Sequence, residues 1–151
     1  MSEDLSSARR AGPPTGEIDE AMIQRLVRGF YAQVRQDELL NPIFSAQIVE
    51  WEPHLQQICA FWSSVVLKTG RYRGQPLLRH LSLPIDARHF DRWLELFATA
   101  ARQYCDSAAA NRFVKLAQGI AQSLEFGVAA SHRIVLGDGA RLAPRPSSQS
   151  D

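Results

Sequence analysis

The stretch IQRLVRGFYAQV, residues 23–34, decides the fold class of this 151-residue chain. Its apolar residues recur every three or four positions, which is the period of an α-helix with one buried face. The pattern predicts a helix that follows Asp19 and runs to about Gln36. Its apolar face consists of Ile23, Leu26, Val27, Phe30, Tyr31 and Val34.

The same helical period returns three more times along the chain. It predicts helices at about residues 49–68, 86–104 and 109–128, and Asp86 is a suitable N-cap for the second of these. No stretch shows the alternation of apolar and polar residues that a half-buried strand would require. The sequence therefore predicts an all-α domain with four substantial helices.

Two segments interrupt the helical pattern, the first at a proline and the second at glycines and a proline. Pro42 in LLNPIF predicts a turn after the first helix, because proline disfavours the helical conformation of the residue before it. TGRYRGQP then ends the second helix, and the short segment LLRHLSLP, which carries His80, follows it. We expect two helices, a short irregular segment with His80, and two more helices.

The length of the chain indicates one folded domain with a tail at each end. Residues 1–16 and the end of the chain are rich in small, polar and charged residues together with proline and glycine. Such segments bury too little apolar surface to offset the entropy lost on ordering. We therefore expect flexible tails at 1–16 and 131–151 around a folded domain at 17–130.

Composition excludes several classes of partner and location. The net charge is only +1, from 17 basic and 16 acidic residues without a basic block, so we expect neither nucleic acid nor a membrane as partner. No apolar run approaches the roughly 20 residues of a membrane span, and the N-terminus lacks the apolar stretch of a secretory signal. Cys59 and Cys105 have no metal-site spacing, so free thiols in a reducing cytoplasm are expected.

Three polar side chains occupy positions within the apolar helix faces. Tyr31, His54 and Trp93 can each donate a hydrogen bond into the interior, and His80 joins them from the irregular segment. Taken singly, each fits a core residue with a satisfied polar group. Donors from three predicted helices together with a separately presented histidine indicate a cavity that holds one ligand.

Haem matches this description better than the other cofactors considered. It needs a wide apolar slot, an axial imidazole and hydrogen-bond donors for a bound gas. Zinc fits less well, because His54, His80 and His89 have no suitable cysteine or carboxylate spacing and no HExxH pair occurs. The glycine-rich nucleotide motifs and the GxSxG motif of serine hydrolases are also missing.

A series of spaced motifs resembles one known family. FYAQVRQD, NPIF, WxxHxxxIxxFW, TGRYRGQPLLRHLSLP and HFDRWLELF occur in the order and separation typical of the group III truncated haemoglobins of bacteria. The resemblance covers roughly residues 18–130. It implies a shortened globin in which two antiparallel helix pairs, stacked two-over-two, hold one haem b.

The resemblance also implies a role for individual residues. By its place in RHLxLP, His80 becomes the proximal iron ligand, the residue that binds the metal on the face opposite a bound gas. Tyr31, His54 and Trp93 become the distal residues facing a bound gas. For His54 three roles stay open: hydrogen-bond donor, gate or iron ligand.

Four further residues complete the implied haem site. Ile58 becomes an apolar wall, and Phe44 of NPIF matches the phenylalanine that packs against the haem face. Tyr72 and Arg79 lie where haem propionates are often bound in this family, and Arg71 and Arg73 are alternatives for the same role.

Three classes of function remain open from the sequence. The first is a haem protein that reversibly binds O2, NO or CO. The second is an enzyme that uses the same haem as an NO dioxygenase or a peroxidase, and a dioxygenase would need a separate reductase because this chain has no flavin or nicotinamide domain. The third is a helical bundle without haem.

Overall fold

The computed structural model describes residues 16–72, 74, 83–134, 136–137 and 139–144. No strand occurs among them, which confirms the prediction of an all-α domain. The α-helices are α1 (Glu20–Val34), α2 (Asn41–Gln47), α3 (Trp51–Trp62), α4 (Ala87–Tyr104) and α5 (Ser107–Ser131).

Helix α1 follows the predicted pattern closely. The Asp19 carboxylate accepts a hydrogen bond from the backbone N–H of Met22 at 2.9 Å and thereby caps the helix. All six residues of the predicted apolar face are buried. The helix ends at Val34, two residues before the expected end.

Helix α2 corrects the prediction of a simple turn at LLNPIF. The segment Asn41–Gln47 is helical, and Pro42 lies in its first turn, where a missing N–H costs no hydrogen bond. The buried Asp37 carboxylate accepts from the backbone N–H groups of Leu39 at 3.2 Å and Leu40 at 3.0 Å just before it. These bonds satisfy donors that would otherwise lack a partner near the helix start.

Helix α3 ends earlier than the predicted helix, and a π-helical turn continues it over Ser63–Leu67. This turn directs serine hydroxyls to two neighbouring segments. Ser63 Oγ donates to Glu20 Oε2 at 2.7 Å, and Ser64 Oγ accepts from the backbone N–H of Tyr72 at 2.8 Å. Lys68 then adopts a left-handed conformation with φ of 61°, which ends the helical run.

The second half of the fold is the pair α4 and α5. Asp86 caps α4 as predicted, and Asp106 caps α5, which begins two residues before the expected start and extends to Ser131. Helix α4 packs along α5, while α1 packs against both α4 and α3. The described helices therefore form the pairs α1–α3 and α4–α5, joined through α1 and α4.

Aromatic side chains dominate the centre of this arrangement. Phe97 is 1% exposed, and its ring stacks between those of Trp62 and Trp93, with centroid distances of 5.2 and 5.4 Å. Phe30 and Phe113 pack edge-on against the Phe97 ring. Within the part of the chain that the structure describes, no helix is long and apolar enough to cross a membrane.

The C-terminal segment departs from the expected flexible tail at Arg141 and Leu142. Leu142 is 1% exposed and belongs to a buried cluster with Ile85 and Phe90. Arg141 forms ion pairs with Asp91 and Glu125. An isolated leucine in a polar stretch carries no periodic signal, so the sequence pattern did not reveal this attachment.

Candidate functional site

A cavity of about 400 Å³ lies between the helices, and all five contribute side chains to its lining. Its volume falls within the range of roughly 300–1,000 Å³ that is usual for small-molecule sites. Most of the lining is apolar. The six predicted site residues that lie in the described part of the chain all line it: Tyr31, Phe44, His54, Ile58, Tyr72 and Trp93.

Tyr31 places a buried hydroxyl at the cavity. The residue is 6% exposed, and burial raises the pKa of its phenol to about 12, although the indole N–H of Trp93 opposes this rise as a hydrogen-bond donor. The phenol is therefore protonated at physiological pH and keeps a proton that it can donate.

His54 lies beside Tyr31. The two rings meet edge-on with a centroid distance of 6.2 Å, and the His54 ring also meets Trp51 edge-on at 5.8 Å. Its Nε2 atom is buried. The histidine predicted from the second apolar face is thus held among aromatic rings next to the buried phenol.

Trp93 is fixed in place from two directions. Its ring stacks on Phe97 at an interplanar angle of 8°. The neighbouring Arg92 Nε donates to Asp37 Oδ1 at 2.6 Å, which ties this turn of α4 to the segment before α2. Burial would raise the pKa of Asp37, but the hydrogen bonds from Arg92, Leu40 and Leu39 outweigh it and lower that pKa below its usual value.

The predicted apolar residues Phe44 and Ile58 also lie at the cavity, as does Tyr72, one of the residues predicted to meet the propionates. Phe44 meets Tyr31 edge-on at 5.7 Å, while Ile58 projects from α3, one turn after His54. Tyr72 packs edge-on against Phe61 at 5.5 Å. We call Tyr31, Phe44, His54 and Trp93 the aromatic wall of the cavity.

A second part of the lining, the capped wall, consists of Leu83, Ile85, His89 and Phe90. His89 Nδ1 accepts from the backbone N–H of Asp86 at 3.1 Å, so a neutral ring carries its proton on Nε2. Burial lowers the pKa of His89 and outweighs the opposing effect of the Asp86 carboxylate, which favours this neutral form.

Sequence reasoning missed two residues beside the predicted ones. Trp51 packs against Tyr31, His54 and Phe44, and the Arg35 guanidinium lies 4.8 Å above its ring. His89 was considered only as a zinc ligand. Its position three residues after Asp86 matches the spacing of a capping box, and this spacing could have assigned it to the helix start.

His80 and Arg79 lie outside the described residues, so their predicted roles as iron ligand and propionate partner stay predictions. The described chain resumes at Leu83, within the capped wall. Leu83 and Pro84 end the segment that carries His80, and only Ile85 and the cap residue Asp86 lie between it and the start of α4.

Two comparisons with known proteins agree with each other. The model of the bacterial-like globin family matches residues 18–125. A group 3 truncated haemoglobin of Campylobacter jejuni is 35% identical over 113 residues, which cover 72% of this chain and 89% of that protein.

Solved structures show the same similarity in three dimensions. A group III truncated haemoglobin from Campylobacter jejuni superposes with a TM-score of 0.68 at 33% identity, covering 74% of this chain and 92% of that one. The haemoglobin of the thermophilic phototroph Chloroflexus aurantiacus superposes with a TM-score of 0.60 at 27% identity, covering 70% and 89%. These matches confirm the predicted truncated-globin fold.

Proposed function

We propose, from the premise that this chain belongs to the bacterial-like globin family, that its cavity holds one haem b and that the protein reversibly binds a diatomic gas such as O2, NO or CO there. The observation that carries the proposal is the meeting of Tyr31, His54 and Trp93 at one mostly apolar cavity. Haem, when bound, would supply an iron that could bind one histidine of the protein and a gas molecule.

The residues of the cavity suit such a group. A macrocycle needs an apolar site, and aromatic and aliphatic side chains from every helix line this cavity. The Tyr31 phenol, with its pKa of about 12, remains a donor throughout the physiological range. The Trp93 indole N–H is a donor at any pH.

The axial ligand that we propose is His80. It rests on the match of RHLxLP to the group III truncated haemoglobins, which is a similarity of sequence. Arg79 and Tyr72 are proposed as partners of the propionates. A neutral imidazole binds a metal through one ring nitrogen, and its other N–H is then free to bond a backbone carbonyl.

The test compares variants of two histidines, His80 and His132, by absorption spectroscopy after haem is added. We expect His80→Gly to lose the five-coordinate ferrous spectrum and to regain it when free imidazole is supplied. His132→Gly is the matched control, because His132 lies at the end of α5 and does not line the cavity. A normal five-coordinate spectrum in His80→Gly without imidazole would overturn the assignment.

Catalysis in the same cavity is the second candidate, and the position of His54 favours it. A histidine beside a buried phenol can accept and return a proton, which a peroxidase requires. An NO dioxygenase would in addition need electrons from a separate reductase. Peroxide turnover that falls at least about a hundredfold in His54→Ala would support the enzyme, since acid–base groups contribute about 10²–10⁴-fold.

We also propose that the protein works in the cytoplasm. Cys59 and Cys105 are both free, and Cys59 is fully buried. Thiols remain reduced in that compartment.

A further inference from the structure

Residues 139–144, which we call the C-terminal strap, lie beyond the part of the chain that matches the globin family model. They nevertheless attach to the domain at the capped wall of the cavity. Their attachment uses backbone hydrogen bonds, ion pairs and one buried side chain.

Both backbone polar groups of Leu142, the carbonyl oxygen and the N–H, form hydrogen bonds. Its carbonyl oxygen accepts from the backbone N–H of Ala87 at 2.8 Å, and its own N–H donates to Glu125 Oε2 at 2.7 Å. Ala87 is the first residue of α4, where the N–H groups have no partner inside the helix. The strap therefore supplies an acceptor at the start of α4, one residue after its cap.

Ion pairs hold the strap in place in addition to these backbone hydrogen bonds. Glu125 is only 6% exposed, and a buried carboxylate needs compensating partners. Arg141 Nε donates to both of its oxygens at 3.1 Å, and Arg141 Nη2 donates to Asp91 Oδ1 at 2.7 Å. Since Asp91 lies on α4 and Glu125 on α5, Arg141 joins the two helices.

The side chain of Leu142 lies directly behind the cavity. It is 1% exposed and packs in a cluster with Ile85, Phe90 and Ala121, and these three residues also line the cavity. Removing the Leu142 side chain would leave a void beside residues that line the cavity. A void of this kind lets its lining relax.

We propose that the C-terminal strap is a positioning element of the ligand cavity: Leu142, held by Glu125 and Arg141, fixes the capped wall against which the haem packs. The part concerning haem rests on the proposed function. The strap acts through Ile85 and Phe90, so neither Leu142 nor Arg141 is a ligand-contacting residue.

The experiment measures haem loss from the full-length protein to an excess of apomyoglobin, together with the iron–histidine stretching band of the ferrous form in resonance Raman spectra. Leu142→Ala is compared with Leu26→Ala. Leu26 is equally buried but lies on α1 and does not line the cavity. Both variants lower the melting temperature, so stability alone does not separate them.

We expect Leu142→Ala to lose haem at least about tenfold faster than the parent and to shift or broaden the stretching band. Leu26→Ala should change haem loss by less than about threefold and leave the band in place. Leu142→Met, which conserves volume, should leave both the rate of haem loss and the stretching band as they are in the parent. Equal haem loss in the two alanine variants, with an unchanged band, would overturn the proposal, since the strap would then be a general stabiliser.

Two further measurements keep the test decisive. If Leu142→Ala does not fold, Arg141→Ala takes its place, because the Arg141 side chain is 47% exposed, and we expect about threefold faster haem loss. If the parent binds no haem, the proposed function fails. Hydrogen exchange of residues 83–90 then decides the strap's role: faster exchange in Arg141→Ala supports it, and unchanged exchange contradicts it.

Discussion

The aromatic wall and the capped wall enclose the same cavity, but different forces hold them. The aromatic wall consists of side chains from the interiors of helices, and ring packing supports it, as where Phe97 backs Trp93. The capped wall surrounds the start of α4, where hydrogen bonds to Asp86, His89 and the distant Leu142 fix the backbone. The first wall therefore rests mainly on packed rings, whereas the second combines polar bonds at a helix end with the buried side chain of Leu142.

The two walls should respond differently to mutation because of this difference. Truncating a buried ring removes many contacts at once, whereas weakening a cap removes one or two hydrogen bonds. We accordingly expect the largest losses of stability behind the aromatic wall.

The largest expected effect is that of Phe97→Ala. Phe97 is 1% exposed and its ring lies between Trp62 and Trp93. We expect the free energy of unfolding to fall by about 3–5 kcal/mol, measured by urea denaturation. Val49→Ala is the control, since Val49 is 94% exposed, and it should change the same quantity by no more than about 0.5 kcal/mol.

A smaller loss is expected from Asp37→Asn, which weakens the polar support of the aromatic wall. The substitution removes the charge that Arg92 pairs with at 2.6 Å, and hydrogen bonds to charged groups contribute about 1.5–3 kcal/mol. We expect the free energy of unfolding at pH 7 to fall by a value in this range.

The pH dependence of that loss provides its control. The folded pKa of Asp37 is lowered, so its stabilising effect is complete above the unfolded pKa of about 3.9 and disappears as pH falls through the folded pKa. The difference between parent and Asp37→Asn should therefore shrink between pH 5 and the acid limit. A difference that stays constant over this range would contradict the assigned role of the charge.

Tyr31→Phe tests the chemistry of the aromatic wall with little change in packing. Removing the buried hydroxyl takes away a donor of about 1–1.5 kcal/mol, so we expect dissociation of O2 to become roughly five- to tenfold faster in stopped-flow measurements. Trp93→Phe should act in the same direction. Tyr104→Phe, a half-buried tyrosine that does not line the cavity, should leave the rate unchanged.

The smallest expected effect is that of Asp86→Asn, at the helix cap beside the capped wall. Asparagine still caps a helix, so the loss is confined to the ion pair with Arg88, whose side chain is 59% exposed. We expect the free energy of unfolding to fall by about 0.5–1 kcal/mol at pH 7. A loss larger than that of Asp37→Asn would reverse the proposed ranking of the two walls.

The aromatic wall was also the part that the sequence could predict. Tyr31, His54 and Trp93 occupy regular positions in periodic apolar faces, and the structure brings all three to one cavity. Their functional roles remain proposals. The N-cap at Asp86 could be predicted as well, because a cap is a local feature of a few adjacent residues.

The features that the sequence did not predict depend on contacts between distant segments or on local exceptions. Pro42 indicated a turn, yet proline is also compatible with the first turn of a helix, and the Asp37 bonds favour α2. The π-helical turn at Ser63–Leu67 involves Glu20, far away in the chain. Leu142 gives no periodic pattern, so only folding reveals what it contacts.

The three tryptophans of the chain give the protein an optical property. Trp62 and Trp93 line the cavity, and Trp51 packs against Tyr31 and His54. A haem within the cavity would lie close to all three indoles and quench their emission by energy transfer. Intrinsic fluorescence therefore reports the occupancy of this cavity directly, so haem uptake and loss can be followed in the unlabelled chain.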